Sequence, residues 1–193
     1  MTQTGLMVII SGPSGVGKTT LCDKLMALDG NLKRSISATT RQPRPGEKNG
    51  EDYYFVGRDE FRRMIDEDNL AEWAEVFGEL YGTPKKGMAE IVATGNDCLL
   101  AIDVQGGMKL SKEHPEALSI FVLPPDMAVL RIRLGGRNKD HDDEIMKRLE
   151  KAEWECGFKD QYDCTVINGD LEEAVREIRE IMAAEREASR NSG

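Results

Sequence analysis

Four short apolar runs recur along the chain, each bounded by turn residues. They are LMVII at 6–10, CLLAI at 98–102, LSIFVL at 118–123 and CTVI at 164–167. Near-continuous apolar runs of this length are typical of strands that are covered on both faces, as in parallel sheets. The pattern therefore predicts four buried parallel strands.

Helical periodicity lies between and after these runs. The predicted helices are 17–28, 87–93, 126–134, 142–154 and 171–187. In the last of them Leu171, Val175, Ile178 and Met182 share one face, which indicates a helix that packs on the core. Alternation of strands and helices predicts an α/β fold with a parallel sheet between two helical layers.

Two segments interrupt this alternation. Residues 35–86 contain most of the aromatic side chains and one helical pattern, DEFRRMIDE, and residues 131–159 are dense in charge. The prediction is one domain over residues 1–193, with a core formed by 1–34, 87–130 and 160–193 and with two insertions.

The amino-acid composition limits the classes of protein to which this chain can belong. With 193 residues, 39% of them hydrophobic, the chain can bury one substantial core. A net charge of −9 argues against nucleic-acid binding, which usually needs a basic face. There is no apolar run of about 18 residues, and MTQTG lacks the features of a secretory signal. We expect a soluble cytoplasmic protein without a membrane partner; the oligomeric state stays open.

The cysteines and histidines argue against zinc. The four cysteines show no CxxC spacing, and His114 and His141 stand far from any ligand-like cluster. Cys22 falls in a predicted helix and Cys98 begins an apolar run, so both are expected in the core of a protein kept in a reducing compartment.

The stretch GPSGVGKT, which follows the first apolar run and precedes a predicted helix, fits the phosphate-binding pattern G-x-x-x-x-G-K-[ST]. Glycines let backbone N–H groups surround phosphate oxygens, the lysine adds a point charge, and the threonine hydroxyl is a Mg²⁺ ligand. ATP or GTP binding with Mg²⁺ is predicted. A Ras-type GTPase is not, because NKDH at 138–141 has the wrong spacing for N-K-x-D. The candidate residues here are Gly12, Pro13, Ser14, Gly15, Val16, Gly17, Lys18, Thr19 and Thr20.

A second candidate phosphate site is SATTRQPRPGE at 37–47. Pro43 and Pro45 fix their own φ angles and restrict the residues before them, so Arg41 and Arg44 lie on a stiffened loop. Taken alone, the stretch fits a phosphate clamp and a solvated turn about equally well.

Several longer stretches carry a family resemblance. In order along the chain they are ISGPSGVGKTTL, SISATTRQPRPGEKNGEDYYFV, AEWAEVFGELYGTP, IDVQGG, FVLPP and VINGDLEEA. Over nearly its whole length the chain resembles the guanylate kinases, which phosphorylate GMP with ATP.

The resemblance implies that residues 35–86 form a GMP-binding subdomain. Glu72 would read the base, because a carboxylate offers two acceptors to the adjacent N1–H and N2–H₂ donors of guanine. Arg41 and Arg44 would bind the GMP phosphate, aided by tyrosine hydroxyls. The implied GMP-binding residues are Ser37, Arg41, Arg44, Tyr53, Glu72, Tyr81, Thr83 and Asp103.

The resemblance also implies that residues 131–159 form a lid. Arg137 and Arg148, with Lys18, would act on the transferring phosphoryl group, Arg133 would contact the ATP phosphates and Asn168 would lie against adenine. Ala101 departs from the family pattern, which usually has an acidic residue two places before Asp103.

Three alternatives remain open on sequence alone. Asp103 fits a strand-end cap as well as a group near guanine or Mg²⁺. The chain as a whole fits a non-catalytic binding module of the scaffold kind, although such modules usually have an eroded phosphate-binding loop. A related kinase acting on another phosphate ester is a further alternative, although the complete set of guanine-side residues argues against it.

Overall fold

The protein is described by a computed structural model covering residues 5–135 and 142–191. Its strands are β1 (Met7–Ser11), β2 (Leu32–Arg34), β3 (Ala38–Thr39), β4 (Tyr54–Phe55), β5 (Leu70–Val76), β6 (Glu79–Pro84), β7 (Asp97–Ala101), β8 (Leu118–Leu123) and β9 (Cys164–Ile167). Its helices are α1 (Lys18–Leu28), α2 (Arg58–Asp66), α3 (Lys85–Ala93), α4 (Val104–Glu113), α5 (Met127–Gly135), α6 (Asp142–Cys156) and α7 (Leu171–Asn191), with a short 3₁₀ helix at Lys159–Gln161.

The larger sheet is parallel and has the strand order β2-β7-β1-β8-β9. All four predicted strands are present in it, two of them shifted by one residue at each end. The edge strand β2 was not predicted, because it is only three residues long and reads Leu-Lys-Arg.

Helices cover both faces of this sheet. Val8 and Ile10 point to the face covered by α1 and α7, and Ile9 points to the face covered by α3 and α4. This alternation follows from the two-residue period of a strand, and it explains why the first four residues of β1 are all apolar. The predicted three-layer α/β core is confirmed.

A second, four-stranded sheet has the order β4-β3-β6-β5. Helix α2 packs on it through Phe61, which is fully buried beside Ala38, Leu70 and Leu80. A bulge between Leu70 and Glu72 interrupts the antiparallel register of β5 with β6. The whole sheet is built from residues 38–84, within the first of the two predicted insertions.

Helix α4 was not predicted. Two adjacent glycines, Gly106 and Gly107, weaken its intrinsic propensity, yet the Asp103 carboxylate caps its N-terminus and Leu110 packs into the core. Other helix boundaries lie close to the expected ones, except that α7 continues four residues further, to Asn191.

Several expectations concern the chain as a whole. No helix in the described ranges is long and apolar enough to cross a membrane. All four cysteines are free, and Cys22 and Cys98 are fully buried, as predicted. Arg137 and His141 lie outside the described residues.

Candidate active site

The phosphate-binding loop joins the carboxyl end of β1 to α1. Gly17 stands at the N-cap of α1 with a φ of 103°, and a Cβ there would lie 2.6 Å from Nδ2 of Asn168. Glycine is therefore required on both backbone and steric grounds. The Lys18 ammonium donates to the carbonyls of Gly12 at 2.6 Å and Pro13 at 3.2 Å, which places its charge inside the loop.

One cleft connects this loop with the second sheet. Lys18 and Thr19 line it on the loop side. On the facing side it is lined by most of the predicted acceptor residues, namely Ser37, Arg41, Arg44, Tyr53, Glu72, Tyr81 and Asp103. Two stretches far apart in sequence thus open into the same space.

Glu72 lies at the buried end of this cleft. Its side chain is 2% exposed, whereas its neighbour Trp73 is 45% exposed, so the carboxylate takes the position that an apolar residue would normally occupy. Thr83, its cross-strand neighbour, donates from Oγ1 to Oε1 of Glu72 at 2.5 Å. The other oxygen, Oε2, is buried and has no hydrogen-bond partner among the described residues.

This environment changes the acidity of Glu72. Burial raises the pKa of the carboxyl from 4.5 to about 7, and the charge of Asp103 adds to the rise, while the Thr83 hydrogen bond opposes it. A buried acceptor without a donor is costly to a fold and is typical of a site that a ligand completes.

The proline-containing loop is held by Glu47. The guanidinium of Arg41 donates to both carboxylate oxygens of Glu47, each at 2.9 Å, and the Arg44 backbone N–H donates to Glu47 at 2.7 Å. Glu47 therefore orients this loop. Burial works to raise the pKa of Glu47, but these hydrogen bonds and nearby positive charges outweigh it and hold the pKa below its usual value.

Aromatic rings line the same loop. The Arg41 guanidinium lies 5.4 Å from the centroid of the Tyr53 ring, and the Tyr53 and Tyr81 rings meet edge to face at 6.1 Å. Burial raises the pKa of Tyr53, so its phenol stays protonated and remains a hydrogen-bond donor. The loop, the two tyrosines and the arginines form a cationic, donor-rich end of the cleft.

Asp103 is both a helix cap and a lining residue of the cleft. Its Oδ1 accepts the backbone N–H groups of Gln105 at 2.8 Å and Gly106 at 3.2 Å. A Cβ on Gly106 would lie 2.3 Å from Oε2 of Glu72 and 3.4 Å from Oδ2 of Asp103. The absence of a side chain at Gly106 is what lets the two carboxylates approach each other.

Known proteins resemble this chain over most of its length. The guanylate kinase family model matches residues 4–185. A guanylate kinase from Caldanaerobacter subterraneus is 47% identical over 95% of this chain and 89% of its own length, and one from Geobacter metallireducens is 45% identical over 96% and 92%. The crystal structure of guanylate kinase from Anaplasma phagocytophilum superposes with a TM-score of 0.79 at 37% identity, over 95% of this chain and 87% of that one.

The chain belongs to the guanylate kinase family. The predicted family resemblance is thereby confirmed. The roles of individual site residues stay predictions. The structure shows where the described ones among them lie.

A second pocket beside the phosphate-binding loop contains three further residues that were predicted to bind ATP. It is lined by Thr20, Arg133 and Asn168 together with Gly15 and Gly17. Asn168 donates to the Val16 carbonyl at 2.8 Å, and Arg133 donates to the carbonyls of Val16 at 3.2 Å and Asn168 at 3.0 Å. Arg133 thus supports the loop backbone in this structure, and its contact with ATP phosphates stays a prediction.

Helix α6 contributes a residue that sequence reasoning missed. Glu155 is 5% exposed and lines the main cleft, and its Oε2 has no hydrogen-bond partner among the described residues. Burial raises its pKa, while the charges of Lys18 and Lys151 and the Ser14 N–H act in the opposite direction. Glu150 and Glu153 on the same helix are exposed, whereas Glu155 is buried. The sequence pattern does not distinguish these three glutamates, and only the packing of the folded chain does.

The cleft suits a magnesium ion carried by a nucleotide. Thr19, on the first turn of α1, lines it together with the carboxylates of Asp103 and Glu155, and Ala101 lies beside them. No group of three or more His, Cys, Asp or Glu residues able to hold a metal occurs in the described part of the chain. Oxygen donors from one hydroxyl, two carboxylates and water fit Mg²⁺ that is bound mainly through phosphate oxygens.

Proposed function

We propose that this chain transfers the γ-phosphoryl group of ATP to GMP, which gives ADP and GDP. The observation that carries the proposal is the single cleft in which the phosphate-binding loop faces the buried carboxylate of Glu72. Membership of the guanylate kinase family supports both halves of the reaction.

Acceptor selection follows from hydrogen-bond matching. An ionised Glu72 accepts N1–H and N2–H₂ of guanine, whereas adenine has an acceptor at N1 and would leave the carboxylate unpaired and repelled. Thr83 holds one carboxylate oxygen and Ser37 lies at the same cleft, so the base edge meets a preformed site. A mismatch at such a site discriminates by a factor on the order of 10⁴.

The acceptor phosphate is bound by the cationic end of the cleft. Arg41 and Arg44 fork onto its oxygens while Tyr53 and Tyr81 donate O–H groups. Pro43, Pro45 and Glu47 hold the arginines before substrate arrives, which lowers the entropy lost on binding.

The transfer itself needs charge neutralisation more than acid–base chemistry. The GMP phosphate is an anionic nucleophile near neutral pH, so an in-line attack on the γ-phosphoryl group requires no general base. Lys18 and Arg148 stabilise the charge on the transferring oxygens, as would Arg137, which lies outside the described residues. When bound, Mg²⁺ supplies further charge neutralisation, with Thr19 as its protein ligand.

The proposal also covers the subdomains of the chain, the metal ion, a second acceptor and the cellular location. Residues 35–86 act as the GMP-binding subdomain and residues 131–159 as the lid, around a core of the remaining residues. Mg²⁺ is the divalent ion used with ATP, dGMP is a second acceptor because it carries the same base and phosphate, and the protein works in the cytoplasm.

A coupled assay tests this function. Purified protein with ATP and Mg²⁺ is offered GMP, dGMP, AMP, UMP and dTMP, and ADP release is recorded. GMP and dGMP are expected to react and the others to be turned over on the order of 10⁴-fold less efficiently. Turnover of AMP without GMP would refute the proposal, and an absence of ATP binding in calorimetry would favour a non-catalytic module.

A further inference from the structure

The hairpin between β5 and β6 has an unusual residue at its tip. Phe77 adopts a φ of 51°, in the left-handed region that bulky side chains rarely occupy, and it is followed by Gly78. Its side chain is 49% exposed and belongs to no described apolar cluster of the second sheet. Val76 pairs with Glu79, so Phe77 and Gly78 form a two-residue hairpin loop, and such loops require a positive φ at both central residues.

Two cationic side chains of helix α6 contact the Phe77 ring. The guanidinium carbon of Arg148 lies 5.5 Å from the centroid of the Phe77 ring, and the Nζ of Lys151 lies 4.9 Å from it. Both distances fall within the range of a cation–π interaction. Residues 148 and 151 are one turn apart, so a single face of α6 rests on the ring.

The same face of α6 continues to the phosphate-binding loop. Lys151 forms an ion pair with Oε1 of Glu155 at 3.9 Å, and Glu155 is buried in the main cleft beside the loop. A continuous series of contacts therefore runs from the tip of the acceptor-side hairpin, along α6, to the loop that is proposed to hold ATP.

We propose that Phe77 is a positioning residue, which holds the Arg148 side chain in place for phosphoryl transfer and so links the second sheet to α6. The inference rests on the proposed function, because it takes Arg148 as a residue that acts on the transferring phosphoryl group. An arginine side chain loses substantial rotamer entropy when it is ordered, and an aromatic face that already orients it reduces this loss at the moment of reaction.

Three substitutions separate the ring's electrostatic contact from simple packing. Phe77→Leu removes the aromatic face but keeps an apolar side chain, and Phe77→Tyr keeps the face. Tyr54→Leu is the matched control, because Tyr54 is an exposed aromatic residue of the same sheet, 44% exposed, with no cation–π contact to α6 among the described residues. Thermal unfolding of each variant shows whether the fold is retained.

Steady-state kinetics provide the first test. Phe77→Leu is expected to lower kcat by about twofold to fivefold, the range that an exposed cation–π contact is worth, with the KM for ATP unchanged. Phe77→Tyr and Tyr54→Leu are expected to retain the kcat of the unmodified chain. Equal losses in the leucine and tyrosine variants at position 77, or no loss in either, would overturn the inference.

A double-mutant cycle with Arg148→Met provides the second test. If Phe77 acts through Arg148, adding Phe77→Leu to Arg148→Met lowers kcat no further. Full additivity of the two effects would refute the link. Failure of the proposed function is distinguishable, since the unmodified chain would then lack GMP-dependent ADP release before any variant is compared.

Discussion

In the proposed function, the phosphate-binding loop and the acceptor end of the cleft bind phosphates in different ways. The loop uses backbone N–H groups at the start of one helix, and its only predicted charged contributor is Lys18. The acceptor end uses side chains from three separate stretches, among them Arg41, Tyr53 and Tyr81, with Glu47 as an internal brace. The first site is local in sequence, and the second exists only when the second sheet has folded.

This difference has a consequence for specificity. Backbone N–H donors bind phosphate oxygens and do not distinguish one nucleotide base from another. The acceptor end adds Glu72, a buried carboxylate whose Oε2 has no partner among the described residues. In the proposed function, this carboxylate distinguishes one nucleotide from another. Substitutions at the two ends should therefore impair different properties of the enzyme. Those in the loop should lower kcat, and those at Glu72 should lower the selectivity for GMP.

The largest effect is expected at Lys18. Lys18→Met removes the point charge inside the loop and should lower kcat at least about 100-fold, as for loss of one preorganised donor to a transition-state oxygen. GMP affinity measured by calorimetry should stay within about twofold, because the acceptor end is untouched. A matching loss of GMP affinity would show that the two ends are not independent.

A smaller and more selective effect is expected at Glu72. Glu72→Gln replaces one acceptor by an NH₂ donor that opposes the guanine donors, and kcat/KM for GMP should fall by about 100-fold. The KM for ATP should stay constant. The measurement is the ratio of kcat/KM for GMP to that for AMP, and an unchanged ratio would count against Glu72 as the base reader.

Gly106 offers a test of the same carboxylate without changing it. In Gly106→Ala the new methyl group would lie 2.3 Å from Oε2 of Glu72 and must displace it, so the KM for GMP should rise about tenfold. Gly30→Ala is the control, because a Cβ there has open space around it. Equal kinetics in the two variants would show that Glu72 tolerates the displacement.

The smallest effect is on stability as a function of pH. The pKa of Glu72 is about 7 in the folded protein and near its usual 4.5 in the unfolded chain, so between these values the native state binds more protons. The contribution of Glu72 to the free energy of unfolding is thus fully present below about pH 4.5 and is lost as pH rises through about 7.

Thermal unfolding of Glu72→Gln and of the unmodified chain, compared from pH 5 to pH 8, measures this contribution. The glutamine variant should gain in Tm relative to the unmodified chain as pH rises. A Tm difference that is constant with pH would show that the carboxyl titrates normally.

Prediction from sequence succeeded where a pattern is local. Strands β1, β7, β8 and β9 follow from apolar runs, and the phosphate-binding loop follows from a spacing that must lie between a strand and a helix. It failed for β2, which is too short and polar to show a pattern, and for α4, whose paired glycines lower helix propensity.

The failure at α4 has a physical reason that only the folded chain shows. Gly106 lies against Glu72, and a Cβ on Gly107 would approach the hydroxyl of Tyr162 to 2.5 Å, so the residues that weaken the helix locally are the ones that let it pack. Tertiary contacts and the Asp103 cap outweigh local propensity there.

By itself, the sequence determined the layered α/β core and the phosphate-binding loop, because both depend on residues within a few positions of one another. The tertiary structure decided that Glu72 is buried with an oxygen that has no partner among the described residues, and that Glu47 braces Arg41. It also decided that Phe77 contacts the face of α6 that carries Glu155. These features depend on distances between segments far apart in the chain, which no local pattern encodes.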